Sequence, residues 1–202
     1  MLALRLRGDL QAQSPSQGRR ILIVATDDDA AGLETTLELA WSLAQDLGHS
    51  VLLIDGAFGD GSLSTALGLA DRPGLAELLD APADDDAALE RLEQPTAHAQ
   101  ITVLPQGRQG GAQTIRAQRL QGLLAQAGQR HDFVLVRASF GADVNRSMAF
   151  SAEMDAALLV AVEEQTTWDQ ITRGQRLLNE CGARRVALVL ADRPPLRRTG
   201  RR

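Results

Sequence analysis

Ile21–Ala25 (ILIVA) runs directly into Ala25–Ala44 (ATDDDAAGLETTLELAWSLA), and this junction decides the fold. The first five residues are continuously apolar and too short for a helix. Unbroken apolar character, rather than alternation, marks a strand covered on both faces of a parallel sheet. Beyond Ala25 the pattern turns helical: Leu39, Leu43 and Leu47 recur at four-residue spacing, which predicts a helix over Thr35–Leu47. The same alternation repeats along the chain. Val51–Ile54, Ile101–Leu104, Phe133–Val136, Ala157–Val162 and Val186–Leu190 read as buried strands. Gln113–Gln129, with Ile115, Leu120, Leu123 and Leu124, and Thr167–Cys181, with Ile171, Leu177 and Leu178, read as helices. Strands alternating with helices predict an α/β fold, a doubly wound and mostly parallel sheet flanked by helices. Right-handed crossovers then gather the loops after the strands on one edge, where such folds bind ligands.

The 202 residues suit one domain, assigned to residues 1–192, followed by an Arg-rich tail over 193–202 (RPPLRRTGRR) that is expected to be disordered. Ala81–Asp86 reads as a surface connection and Pro105–Gly111 as a flexible one. A net charge of −5 argues against nucleic-acid binding through overall charge. The absences are sharper. There is no Tyr, and all 21 basic residues are Arg, so chemistry that needs a lysine amine or a tyrosine hydroxyl of this chain is excluded. The single Cys181 excludes an internal disulfide and a multi-cysteine zinc site. Neither a secretory signal nor a run of about 20 apolar residues is visible, so a cytoplasmic location is expected.

The segment after the first strand stands where a nucleotide-binding α/β protein carries a glycine-rich loop. There, backbone N–H groups cradle phosphates, a Lys reaches the terminal phosphates and a Ser or Thr holds Mg²⁺. In this chain Gly32 is the glycine that remains, and Asp27, Asp28 and Asp29 line the approach. Like charges about 4 Å apart repel by roughly 4 kcal/mol at an effective dielectric of 20, so these carboxylates oppose an anion. The plain reading is one helix cap with solvated neighbours; the sharper one is a metal site.

Taken in order, LRLRGDLQAQSPSQGRRILIVAT (Leu4–Thr26), LAWSLAQDLGHSVLLIDGAFGDGSLSTALGL (Leu39–Leu69), RPGLAELL (Arg72–Leu79), ITVLPQGRQGG (Ile101–Gly111), HDFVLVRASFG (His131–Gly141) and the stretch from Met154 to Arg193 resemble the cytoplasmic ATPase domain of bacterial tyrosine kinases. These kinases belong to the ParA/MinD class of deviant P-loop ATPases. The resemblance spans nearly the whole chain and implies the P-loop NTPase fold of that class. Its site positions are altered. The family's phosphate-loop lysines have no counterpart at Gly32 or Leu33. Asp55 keeps the acidic position after the second strand, while the next acidic position falls on Gly56 or Ala57. The Walker-B aspartate, which holds Mg²⁺ through water in the family, falls on Arg137. The base-recognising Asn falls on Ala191. The tyrosine-rich tail of the kinases has become the Tyr-free 193–202.

Together these replacements imply a pseudoenzyme with no catalytic residues, no metal and no cofactor. The resemblance implies a regulatory or scaffolding role in bacterial exopolysaccharide synthesis or export. The partner would be a membrane polysaccharide co-polymerase or a synthase or glycosyltransferase complex. It also allows a homodimer, a heterodimer with an active relative, and a peripheral place at the inner membrane through a partner. The alternatives are a ParA/MinD-like switch that retains weak ATP binding, and a spatial-positioning or secretion adaptor. If the nucleotide site is emptied, Arg137 should pair with Asp55 or with one of Asp27, Asp28 and Asp29, or else snorkel outwards along the sheet edge.

The remaining candidates carry plainer readings. His49, His98 and His131 are scattered, without metal-ligand spacing, and are expected at surface or edge positions. Cys181 is expected to be a small buried residue. Ser139 follows a strand outside a G-x-S-x-G elbow, Gly56–Gly61 is a weak glycine signal, and Glu163 and Glu164 fall in a solvated loop on the ligand edge. The tail reads as a membrane or acidic-partner patch only weakly, and Arg5 and Arg7 resemble loosely the spaced arginines that assemble the kinases into rings. Phe58, Phe140 and Phe150 are the expected exposed anchors for a partner.

Overall fold

In the computed structural model the described residues are 18–26, 29–57, 62–81, 87–108, 115–140 and 144–192. Seven strands form one sheet: β1 (Arg19–Ala25), β2 (Val51–Asp55), β3 (Gln94–Pro95), β4 (Ile101–Leu104), β5 (Phe133–Ser139), β6 (Ala156–Val162) and β7 (Val186–Ala191). Their order across the sheet is β3-β4-β2-β5-β1-β6-β7, and the β3–β4 pair is antiparallel while the others are parallel. The helices are α1 (Asp29–Trp41), α2 (Leu63–Ala66), α3 (Leu75–Asp80), α4 (Ala88–Leu92), α5 (Ala117–Arg130), α6 (Val144–Met148) and α7 (Trp168–Glu180).

Each central strand splits its apolar residues between two cores, as period-two geometry requires. Leu22, Val24, Leu52, Ile54, Val134 and Val136 face a layer built by α3, α4, α5 and α7. Ile21, Ile23, Val51, Leu53, Phe133 and Leu135 face α1, the π-helical turn Ser42–Asp46 that prolongs it, and Leu63 of α2. Both faces are therefore dry, which is why the strands read as unbroken apolar runs.

Two boundaries differ from the periodicity. The first helix starts at Asp29, six residues before Thr35, because its first turns pack small residues against the sheet. Ala31 and Gly32 are buried there, and a Cβ on Gly32 would stand 3.1 Å from the Cβ of Ala25. Small residues give no leucine periodicity, so the helix is longer than its leucines. The second, α5, begins at Ala117. By contrast α7 starts where Thr167 predicts: its hydroxyl accepts from the Gln170 N–H, and the Gln170 side chain accepts from the Thr167 N–H. Of the expected aromatic anchors, Phe150 is fully buried and Phe140 is partly buried against the same core, so neither is an exposed anchor; Phe58 lies outside the described residues. Among the described residues no helix is long and apolar enough to cross a membrane.

Candidate functional site

The C-terminal ends of β1, β2 and β5 place Ala25, Asp55, Arg137 and Ser139 side by side. In register, Asp55 lies opposite Arg137, and Ala25 opposite Ser139. Asp55, Arg137 and Ser139 continue the odd-numbered face of their strands, the face that α1 covers. Sequence order scatters these residues over more than a hundred positions; the parallel register collects them under the start of one helix.

Arg137 is 1% exposed. Its Nη2 donates to the backbone carbonyl of Asp29 at 3.0 Å and lies 3.5 Å from that residue's Oδ1. Its Nε has no hydrogen-bond partner. The hydroxyl of Ser139 donates to the other carboxylate oxygen, Oδ2, at 3.2 Å. Asp29 is the first residue of α1. A helix N-terminus carries partial positive charge, and a cation placed there is disfavoured unless an anion joins it. The Asp29 carboxylate is that anion. The expected pairing of Arg137 is thus made with Asp29 rather than Asp55; Asp27 and Asp28 lie outside the described residues.

Asp55 is fully buried and differently employed. Its Oδ2 accepts the Ser64 N–H at 2.7 Å and the Ser64 hydroxyl at 2.6 Å, and its Oδ1 accepts the Ala57 N–H at 3.4 Å. The Ser64 oxygen in turn accepts the Gln106 N–H at 2.8 Å. One carboxylate therefore ties the end of β2 to the first turn of α2 and to the connection after β4. Ser62, the N-cap of α2, accepts the Thr65 N–H. Ser64 and Gln106 carry no signal in the sequence, since their partner is fixed by tertiary contact alone.

Gly56 is hemmed in: a Cβ there would lie 3.1 Å from the Arg137 carbonyl, 3.1 Å from the Phe150 ring and 3.2 Å from Val136. An acidic side chain at this position would have to push into the core. Ala191, at the end of β7, packs partly against the α1-side core. Glu163 and Glu164 are exposed, with Glu164 at φ 62° in the left-handed region. His49 and His98 are half-buried, and His98 meets the Trp41 ring edge-on at 4.2 Å. His131 is more enclosed than a surface position, its Nε2 3.1 Å from the Glu93 carboxylate. Cys181 is half-buried at the C-cap of α7; desolvation, then the charge of Glu180, raises its thiol pKa and keeps it protonated. Among the described residues no group of three or more His, Cys, Asp or Glu side chains converges on a point where a metal could bind.

No protein-family model matches the chain. The septum site-determining protein MinD of Synechocystis is 24% identical over 150 residues, 74% of this chain and 56% of MinD, so the chain spans little more than half of that relative. Among solved structures, the VpsO kinase domain superposes with a TM-score of 0.74 at 20% identity, covering 96% of this chain and 92% of that one. The kinase domain of the Escherichia coli tyrosine kinase ETK superposes at 0.73 with 18% identity, covering 94% of this chain and 72% of the kinase. The fold is that of the ParA/MinD-type P-loop ATPases. In a ParA/MinD-type framework, the start of α1 together with the ends of β2 and β5 is the region to which the sequence resemblance assigns nucleotide and metal. Here it holds a buried cation and its tethered carboxylate.

Proposed function

We propose that this chain is a catalytically inactive relative of the bacterial tyrosine-kinase ATPases and acts as a regulatory or scaffolding subunit in exopolysaccharide synthesis or export. The observation that carries this reading is that the site supplies its own anion. The positive end of α1 and the buried guanidinium of Arg137 both attract negative charge, and Asp29 meets both from within the chain. An incoming phosphate would have to displace a tethered carboxylate, with no lysine to draw it in. A divalent cation beside Arg137 would meet like charge, costing several kcal/mol at about 4 Å and an effective dielectric of 20. With the site self-occupied, the working part of the molecule is its surface. Likeness to a tyrosine-kinase domain and to the VpsO kinase domain supports a partner such as the cytoplasmic part of a membrane polysaccharide co-polymerase, or a synthase or glycosyltransferase complex.

Similarity to MinD favours one other reading, a nucleotide-dependent switch that binds through backbone amides and arginines. Calorimetric titration of the full chain with ATP and Mg²⁺ separates the two. We expect no binding up to millimolar nucleotide; a sub-millimolar Kd would overturn the inactive-site reading in favour of the switch.

A further inference from the structure

The two edges of the sheet are built differently. At one edge β3 is two residues long and ends in Pro95, which has no N–H to offer a further strand. At the other, β7 is six residues, VALVLA, without a charge, a proline or a glycine. The Arg185 carbonyl accepts the Ala157 N–H at 2.8 Å and the Ala191 carbonyl accepts the Glu163 N–H at 3.0 Å, so the odd-numbered residues turn their backbone groups to β6. Period two then turns the N–H and C=O groups of Val186, Leu188 and Leu190 outwards, where among the described residues they meet no strand. Leu188 and Leu190 are 42% and 65% exposed. A long, apolar, uncharged edge is a template for another strand.

The outward row is complementary to itself. Along the chain it runs Arg184, Val186, Leu188, Leu190, Asp192: a cation, then apolar residues centred on Leu188, then an anion. Arg184 and Asp192 are both exposed. Turned end over end, the row presents its anion to the cation and its apolar centre to itself. We propose that β7 pairs antiparallel with β7 of a second copy of this chain, about a two-fold axis through Leu188. Leu188 then lies opposite the copy's Leu188, Val186 opposite the copy's Leu190, and Arg184 opposite the copy's Asp192. The outward groups of both strands face each other in this register, so each apolar pair exchanges its N–H and C=O bonds. The leucines of the two chains meet on the face that Val186 shares with the α7-side core.

The charges choose the register. An axis through Val189 would set Asp192 against the apolar Val186, and an axis through Ala187 would set Arg184 against Leu190. A parallel pairing would bring Arg184 beside Arg184 and Asp192 beside Asp192, and like charges directly opposite are destabilising. The axis through Leu188 joins apolar to apolar and cation to anion. Because one patch serves both chains, the interface is isologous and closes at two copies. The edges that remain are the two β3 edges, where Pro95 stops further growth. A seam of one strand is small for a protein interface, so the association is expected to be weak and to depend on concentration. It lies at the sheet edge, two strands from β1, and leaves the Arg137–Asp29 site untouched.

Sedimentation equilibrium on the full chain tests this. The mass should rise from one chain to two as concentration increases. Leu188→Lys sets like charges opposite each other at the axis, and Arg184→Asp sets an acid against Asp192; each should weaken association by at least about tenfold. Combining Arg184→Asp with Asp192→Arg restores opposite charges and should return the dissociation constant to within about threefold of native. In a Cys181→Ala background, Leu188→Cys should join two chains by a disulfide, since opposed Cα atoms in a hydrogen-bonded pair are about 5.5 Å apart. The altered side chains are exposed, so the variants should keep the native circular dichroism spectrum. A chain that stays single at every concentration overturns the proposal. So does a dimer that Leu188→Lys leaves intact, which would place the interface elsewhere, or a charge swap that fails to restore what the single reversal lost.

Discussion

The two ends of the same parallel strands use the same residue types to opposite effect. At the C-terminal end, Arg137 and Asp55 are 1% and 0% exposed and each is held by a short list of partners. At the N-terminal end several charges stand at the rim: Arg130 lies 3.0 Å from Glu90, and Asp132 accepts the N–H and hydroxyl of Ser50 at 2.8 Å each. Water solvates these rim groups whether or not they pair, so their geometry is worth little. Arg137 and Asp55, each buried, have no such alternative, and removing the partners of either leaves its charge stranded. The C-terminal end is therefore where a carboxylate or guanidinium is structurally committed, and the N-terminal end is where it decorates.

The sharpest way to break this contrast is to reverse the buried charge. Arg137→Asp places a carboxylate beneath Asp29 with no cation left, and should destabilise by about 3–5 kcal/mol in urea unfolding. Arg137→Met keeps the volume, removes the desolvated charge along with its unpartnered Nε, and should change stability by less than about 1 kcal/mol or raise it. Equal losses for the two variants would mean that shape, not charge, holds this end together. Next in size is Asp55→Ala, which leaves the N–H and hydroxyl of Ser64 without an acceptor; we expect a loss of about 2–3 kcal/mol. Here exchange of the Gln106 amide should rise too, since its acceptor is the same Ser64 oxygen. A neutral result would show that water replaces the carboxylate.

The rim supplies the smallest effect. Desolvation of Asp132 opposes its charge, but the N–H and hydroxyl of Ser50, with His49 and His131 nearby, outweigh it and hold the carboxyl below its ordinary value. A folded-state pKa that is lowered stabilises above the unfolded value, about 3.9, and that contribution fades as pH falls through the folded pKa. Asp132→Asn should therefore cost less than about 1 kcal/mol at neutral pH. Thermal unfolding of native and variant proteins should converge as pH drops below about 4. A gap that persists at low pH would mean that hydrogen-bond geometry, not ionisation, is at stake.

Much of this architecture is legible in the residues. The strands Ile21–Ala25, Val51–Ile54, Ile101–Leu104, Phe133–Val136, Ala157–Val162 and Val186–Leu190 all lie within the observed β1, β2, β4, β5, β6 and β7, because a strand buried on both faces must be apolar throughout. The helix read over Thr167–Cys181 is α7, because the spacing of Ile171, Leu177 and Leu178 is a local pattern. β3 is not legible: two residues, Gln94 and Pro95, carry no period. Phe150 is misread as an anchor because its burial depends on its packing against the α5-side core, beside Gly56. The site is legible in its cast but not in its pairings. Arg137, Asp55 and the aspartates stand out by position, yet which carboxylate Arg137 takes is set by where α1 starts.

By itself the sequence determined the alternation of strands and helices, and with it the parallel sheet, because periodicity and burial are local consequences of residue type. It also determined the absence of lysine and tyrosine chemistry. Only the tertiary structure decided that Asp29 answers Arg137 while Asp55 answers Ser64. Those choices separate residues by 108 and 9 positions. They follow from strand order and register, which bring distant side chains to one dry face where every charge must find a partner.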